Sequence, residues 1–188
     1  MNSMMKEINI PTGWKEVKLG EVFKLSSGKT KPNILSVIKL NNNLLPVFGG
    51  NGIIGYSKKY NSDDEIIIIG RVGANCGCVY IYNGKCWITD NALYSVEHKL
   101  SYSKKFIYYL LLKINLGLLR AKGGQPLITQ GVVYLKKILL PPLPEQKAIA
   151  DILEKWDEAI EKTSKLIDAK KTGFEWLKNI LFDKAQND

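Results

Sequence analysis

Apolar residues recur every seven positions near the end of the chain: Leu153, Ile160, Ile167, Phe174 and Leu181. An adjoining row, Ile152, Ala159, Leu166, Gly173 and Ile180, has no polar member, whereas Ile149, Trp156, Thr163, Lys170 and Leu177 form a partly polar one. A two-row seam suffices for a two-stranded coiled coil, and three rows make a wider stripe, suited to more than one neighbour. Pro144 suits the first helical position, where its missing N–H is not needed. Glu145 follows where the helix dipole favours a carboxylate. No later proline interrupts the pattern, which predicts one helix from Pro144 to Leu181, about 57 Å long. A domain of this size is about 30–35 Å across, so part of the stripe is expected to meet another chain. The predicted dimerisation residues are Ile149, Leu153, Trp156, Ile160, Ile167, Phe174, Leu177 and Leu181.

Upstream the pattern shortens. Met1 to Pro11 reads as a lead-in, and Gly13 to Gly20 alternates as a short strand does. Leu44 to Phe48, Glu65 to Gly70, Ala92 to Glu97 and Leu135 to Leu140 predict further strands. Cys76 to Tyr82 and Lys85 to Thr89, joined by Asn83-Gly84, predict a hairpin, because Asn-Gly is the favoured two-residue turn. Ser103 to Leu116, stopped by Gly117, predicts a mostly buried helix. The expected class is α+β: a mixed domain over residues 1–143, then a helix over 144–188 with a short flexible tail.

Charge divides at the same boundary. Residues 1–143 carry 19 Lys+Arg against 8 Asp+Glu, and residues 144–188 carry 8 against 10. A domain at +11 has the footprint of a polyanion binder, although a Lys-rich solvated surface gives the same count. Only Arg71 and Arg120 are arginines in it. Lysine positions phosphates, while two-pronged base reading favours arginine.

Four loops are candidates for DNA contact. Ser26 to Pro32 offers Lys29, Thr30 and Lys31, and reads equally as a phosphate-holding loop or a solvated turn. Gly49 to Lys59 offers Asn51, Tyr56, Lys58 and Lys59 after a glycine-rich turn. Its Gly50-x-Gly52-x-x-Gly55 spacing matches a dinucleotide fingerprint, but the polar stretch that follows does not continue as the helix that a pyrophosphate site needs. Arg71 to Asn75 supplies two further candidates, Arg71 and Asn75. Lys122 to Gln130 supplies Lys122, Gln125 and Gln130, whose amides suit adenine edges.

Catalytic chemistry finds little support. Cys76, Cys78, Cys86 and His98 lack zinc-site spacing and read as buried small hydrophobes and a surface-turn histidine. Asp63-Asp64-Glu65 reads as a loop-to-strand junction rather than a metal site. Asp90-Asn91 has no methyltransferase motif beside it. No cofactor, metal or catalytic residue is expected. Three cysteines without a leader predict free thiols in a cytoplasmic protein, and the longest apolar run, Phe106 to Leu112, is too short to span a bilayer.

The chain resembles the DNA specificity subunits of type I restriction–modification systems. The residues that carry this are Gly13-Trp14, Leu19-Gly20-Glu21-Val22, Ser27-Gly28-Lys29-Thr30, Gly49-Gly50-Asn51-Gly52-Ile53-Ile54-Gly55-Tyr56, Gly124-Gln125-Pro126 and, above all, Pro141-Pro142-Leu143-Pro144-Glu145-Gln146 with Ile149-Ala150, Leu153, Asp157 and Ile160. The resemblance implies a non-catalytic subunit with a target-recognition domain and a spacer helix, on which methyltransferase subunits dock and which a restriction or translocase subunit can join. A full subunit has two such units in tandem, each reading half of a bipartite double-stranded DNA site. Here one unit is present. A two-fold homodimer with antiparallel spacer helices is the expected way to restore the second, and it would read an inverted repeat. A helical adaptor or decoy of the modification subunit, or a partner of a fused nuclease–methyltransferase, are the alternatives.

Overall fold

The computed structural model describes residues 10–121 and 126–184. The predicted lead-in up to residue 9 and the predicted tail from 185 lie outside them. The chain divides into two compact units, Met1–Lys147 and Ala148–Asp188.

The first unit is α+β. Its elements are β1 (Lys15–Lys18), α1 (Leu19–Val22), β2 (Phe23–Ser27), β3 (Leu45–Gly49), β4 (Gly52–Ser57), β5 (Ser62–Gly70), β6 (Val79–Ile88), β7 (Ala92–His98), α2 (Lys104–Ile114), α3 (Gln130–Tyr134) and β8 (Lys137–Leu140). A 3₁₀ turn, Leu116–Leu119, follows α2, and the helix α4 (Leu143–Lys184) begins here. Six strands form one sheet in the order β2-β7-β5-β6-β3-β4, while β1 and β8 pair separately.

Register shows that the sheet curls. Ser62 at one end of β5 pairs with Cys86, and Gly70 at the other end neighbours Ala92. A straight β5 would hold those partners more than about 25 Å apart. The six links from Cys86 to Ala92 reach at most about 21 Å. The strands must therefore bend until the end of β2 meets the end of β6, where Lys29 bridges to Thr89.

Alternation along β5 serves two layers. Ile66 and Ile68 join Phe48, Cys86, Ile88 and Ala92 in a core flanked by Tyr80, Tyr82 and Tyr94. Ile67 and Ile69, also buried, point to the opposite face, and α2 packs on β5 and β6. Ser103 caps α2, its Oγ accepting from the Phe106 N–H at 3.3 Å, and Asn115 ends it in the left-handed region at φ 54°.

Several expectations need correction. The predicted hairpin at Asn83-Gly84 is instead the middle of the ten-residue strand β6. Asn83 faces Glu65 and Gly84 faces Asp64, so β5 supplies a partner along the stretch where a turn would have left one missing. Gly84, at φ 115°, bends the strand instead of reversing it. Asp63 and Asp64 accordingly lie within β5 and not at a junction before it. Cys76 and Cys78 sit in the turn before β6, not on a shared strand face. Cys76 and Cys86 are buried free thiols, and burial, with Asp63 nearby, pushes the Cys86 thiol up to about 12. The backbone of His98 closes β7 opposite Phe23 instead of entering a turn. Two short helices, α1 and α3, were not predicted. Tyr134 at the end of α3 ties to β2: its hydroxyl accepts from the Leu25 N–H at 2.7 Å and donates to the Leu25 carbonyl at 3.2 Å.

The opening of α4 is held by residues far away in sequence. The helix starts one residue earlier than predicted, at Leu143, and the Gln146 N–H donates to the Pro142 carbonyl at 3.0 Å. Trp14 Nε1 donates to both carboxylate oxygens of Glu145, at 3.1 and 3.2 Å. Gln146 is only 1% exposed. Its Oε1 accepts from the Ser103 N–H at 2.9 Å and its Nε2 donates to the Pro141 carbonyl at 2.8 Å. Gln146→Ala strands both groups in a buried place, at about 1–3 kcal/mol each. Thermal melting should therefore show a fall of several degrees in Tm, and an unchanged Tm would show that these bonds do not hold the helix start.

The second unit is the rest of α4, a helix of 42 residues in all. Along it Leu153, Trp156, Ile160, Ile167, Phe174, Leu177 and Leu181 are exposed, and Ile149 is half-buried. Glu158–Lys162, Glu161–Lys165 and Glu175–Lys178 pair on the polar side. Gly173 lies within the unbroken helix with nothing within 4 Å of the space its side chain would fill. Among the described residues no helix is long and apolar enough to cross a membrane.

Candidate nucleic-acid interface

The curl of the sheet draws loops that are distant in sequence to one place, around the turn Thr89-Asp90-Asn91 between β6 and β7. The end of β2 arrives first: the Gly28 N–H donates to the Ala92 carbonyl at 3.1 Å, and the Asp90 N–H donates to the Lys29 carbonyl at 2.9 Å. The β3–β4 turn arrives second, with the Thr89 N–H donating to the Phe48 carbonyl at 2.9 Å. The segment after β5 arrives third, as the Arg71 N–H donates to the Asn91 carbonyl at 2.9 Å. Residues 126–131 complete the cluster. There the Ile128 N–H donates to the Arg71 carbonyl at 2.9 Å, the Gly73 N–H donates to the Pro126 carbonyl at 3.1 Å, and Val72 bridges to Leu127.

Glycine makes this convergence possible. A Cβ on Gly70 would lie 2.0 Å from the Gly50 carbonyl oxygen, and one on Gly28 would lie 2.2 Å from that of Thr89. Neither position admits a side chain without moving backbone. Of the glycines that suggested a nucleotide loop, Gly50 and Gly55 serve backbone approach in the same way, a Cβ there lying 2.6 Å from the Val72 and 2.9 Å from the Ser36 carbonyl oxygen, whereas Gly52 faces the Tyr80 side chain.

A cleft of about 390 Å³ opens in this cluster, lined by Ser27, Arg71, Leu93, Thr129, Gln130 and Gly131. Arg71 Nη1 donates to Ser27 Oγ at 2.8 Å, while its buried Nε has no partner. The buried Thr89 Oγ1 also lacks one. The guanidinium is thus anchored at one nitrogen and has donors left over. Around it Lys29, Thr30, Lys31, Asn51, Asn75, Asp90 and Asn91 are exposed. Ammonium and guanidinium groups hold phosphates, amides pair with adenine edges, and a carboxylate accepts from the cytosine amino group.

The predicted contact residues therefore divide. Lys29, Thr30, Lys31, Asn51, Arg71, Asn75 and Gln130 belong to the converging segments. Tyr56, Lys58 and Lys59 do not: they lie at the opposite end of β4 from the Gly50-Asn51 turn, where Tyr56 pairs with Pro46. Lys85 stands 4.9 Å from the Tyr60 ring centre in that region and reaches Asp63 at 3.8 Å. Lys122 and Gln125 lie outside the described residues. Asp90 and Asn91 join the cluster although sequence reasoning did not choose them, as do Ser27 and Thr129, which lie in chosen loops but were not among the named contact residues. Asp90-Asn91 was visible as a polar pair, but its place at the hub depends on the curl of the sheet.

A family model for the type I restriction modification DNA specificity domain matches residues 11–169, which take in every segment of the cluster and most of α4. The chain belongs to this family. It is 34% identical over 145 residues to the specificity subunit of the type I restriction enzyme EcoprrI of Escherichia coli, covering 76% of this chain and 36% of that one. It is 27% identical over 192 residues to the MjaVIII specificity subunit of Methanocaldococcus jannaschii, covering 96% and 44%. The chain thus spans less than half the length of these curated relatives. The fold matches that of the type I S subunit from M. genitalium, with a TM-score of 0.70 and 21% identity, covering 89% of this chain and 44% of that one. It also matches a chain from a structure of type I R-M complex assembly and conformational transition, with a TM-score of 0.71 and 23% identity over 96% and 47%. In this chain the motif residue Trp14 meets Glu145 in the first turn of α4, and the neighbouring motif residue Gln146 accepts from the Ser103 N–H.

Proposed function

We propose that this chain is the sequence-reading, non-catalytic subunit of a cytoplasmic type I restriction–modification assembly. The observation that carries the reading is the convergence of four polar loops on the Thr89–Asn91 turn, with Arg71 anchored at its centre. In this reading the cluster faces one half of a bipartite DNA site. Lys29 and Lys31 hold phosphates, and Arg71, Asn51, Asn91 and Gln130 reach base edges. Lys122 and Gln125, from the adjoining segment, are proposed to join them. Tyr56, Lys58 and Lys59 contact the same duplex farther along its axis.

The exposed stripe of α4 pairs with α4 of a second copy. The pair is antiparallel, so the two recognition units are related by a two-fold axis and read an inverted repeat. A methyltransferase subunit docks on the spacer helices and supplies the chemistry, and a restriction subunit can join it. The test is methylome sequencing of a host with and without the gene. One bipartite, inverted-repeat motif should lose its methylation when the gene is absent. An unchanged methylome would refute the reading.

A further inference from the structure

The loop between β2 and β3 carries a feature that neither the cluster nor the helix uses. Val37 is 79% exposed, more than any other large hydrophobic side chain among the described residues, and Ile38 follows at 68%, Leu40 at 65% and Leu35 at 51%. Burial in this chain's own core does not account for them. The loop is nevertheless ordered by its own bonds. The Ser36 hydroxyl accepts from the Ile38 N–H at 3.2 Å and donates to the Ile38 carbonyl at 2.6 Å, which sets Val37 and Ile38 at a tight turn. The Leu35 and Tyr56 N–H groups pair this strap to β4, through the Tyr56 and Ser36 carbonyls at 2.9 and 2.8 Å. Asn41 Oδ1 accepts from the Asn43 N–H at 3.0 Å on the return. The apolar tip is held out in advance of any partner.

Charge identifies the partner. From residue 22 to residue 62 there is no Asp or Glu, and the stretch contains Lys24, Lys29, Lys31, Lys39, Lys58 and Lys59. Among the described residues, Lys24 alone of these is engaged by a carboxylate, that of Glu97. The tip is continuous with the Lys29–Lys31 segment of the candidate interface and returns to β3 where Leu45 pairs with Ser57, next to Lys58. A surround of lysines with no carboxylate suits a polyanion. An apolar point among lysines and asparagines matches what the minor groove of DNA accepts: an aliphatic wedge between base pairs, with Lys and Asn on the flanking acceptors.

We propose that Val37 and Ile38 form a minor-groove wedge that partly unstacks one pyrimidine–purine step, TA or CA/TG, which yields at the lowest cost. The inference rests on the DNA-recognition reading above. The wedge lets a domain that reads bases with one loop cluster also sense deformability at a step that no hydrogen bond reads, and it brings Lys58 and Lys59 against the bent backbone.

The test uses the full chain with its methyltransferase subunit on a duplex carrying the motif found by methylome sequencing. Permanganate, which attacks unstacked thymines, is the probe, and affinity is measured in parallel. Wild-type protein should expose a thymine outside the methylated base pair. V37S/I38S should lose that reactivity and weaken motif binding by about tenfold, while Ile38→Leu retains both. If wild type binds the motif but V37S/I38S leaves reactivity and affinity unchanged, the wedge is overturned and the DNA-recognition reading stands. If V37S/I38S weakens the methyltransferase subunit's binding and not the DNA's, the patch belongs to a protein partner and the wedge is again overturned. Absence of motif preference in the wild type would overturn the underlying reading itself.

Discussion

Ile160→Asp combined with Ile167→Asp should convert the proposed dimer to a monomer in analytical ultracentrifugation. The two side chains are 63% and 49% exposed on α4, so neither substitution reaches the buried core. The folded monomer should keep its thermal transition. In the proposed antiparallel pair, however, each copy brings both positions to the helix–helix seam, and four carboxylates would be buried without partners. An unpaired charge taken out of water costs several kcal/mol, and four together are enough to move a dimer from nanomolar to millimolar dissociation, a difference of about 8 kcal/mol. The partly polar row of the stripe already contains Thr163 and Lys170, so the seam has no polar excess to spare. In the proposed pair, Gly173, with nothing within 4 Å of the space its side chain would fill, would allow the two backbones a close approach. Persistence of the dimer in the double variant would place the interface away from α4.

On the proposed reading, Arg71→Ala should abolish most of the preference for the target over other DNA without unfolding the chain. The backbone of residue 71 holds the cluster through its N–H to Asn91 and its carbonyl to Ile128, and alanine keeps both. The side chain contributes one bond to Ser27 and leaves Nε buried without a partner, so its removal relieves a desolvated donor. The fold should therefore tolerate the change, with a Tm close to wild type. DNA recognition should not. A two-pronged arginine contact is worth about 1–3 kcal/mol of discrimination, so the ratio of target to nonspecific affinity should fall by roughly 5- to 150-fold. Lys29→Ala, by contrast, removes a phosphate contact and should weaken target and nonspecific duplexes alike, with a salt slope shallower by about one. Equal loss on both duplexes in Arg71→Ala would make it a phosphate contact, and no loss on either would remove it from the interface.

What could be read in advance followed from the range of the forces involved. The long helix was legible because its determinants are local: a proline at the start, an uninterrupted seven-residue repeat and no later breaker. The buried Ile66–Ile69 strand was legible because four β-branched residues in a row admit few other structures. Asn83-Gly84 misled because a turn propensity worth little was overridden by β5, which pairs across it from Glu65 and Asp64. The candidate interface was legible only loop by loop. That Lys29, Asn51, Arg71 and Gln130 share one place, and that Tyr56, Lys58 and Lys59 do not, depends on the curl of the six-stranded sheet, and no short window of sequence encodes it. The link of Trp14 to Glu145 spans 131 positions and was invisible for the same reason, although both residues belonged to the motifs that carried the family resemblance.

The central claim is that this unit reads base sequence, and fluorescence anisotropy tests it most directly. The full chain with its methyltransferase subunit is titrated against the motif duplex and against a scrambled duplex of equal length, at several salt concentrations. The motif should bind at least about a thousandfold more tightly at physiological salt, with affinity for both duplexes falling steeply as salt rises. Equal affinity for the two duplexes would contradict the account.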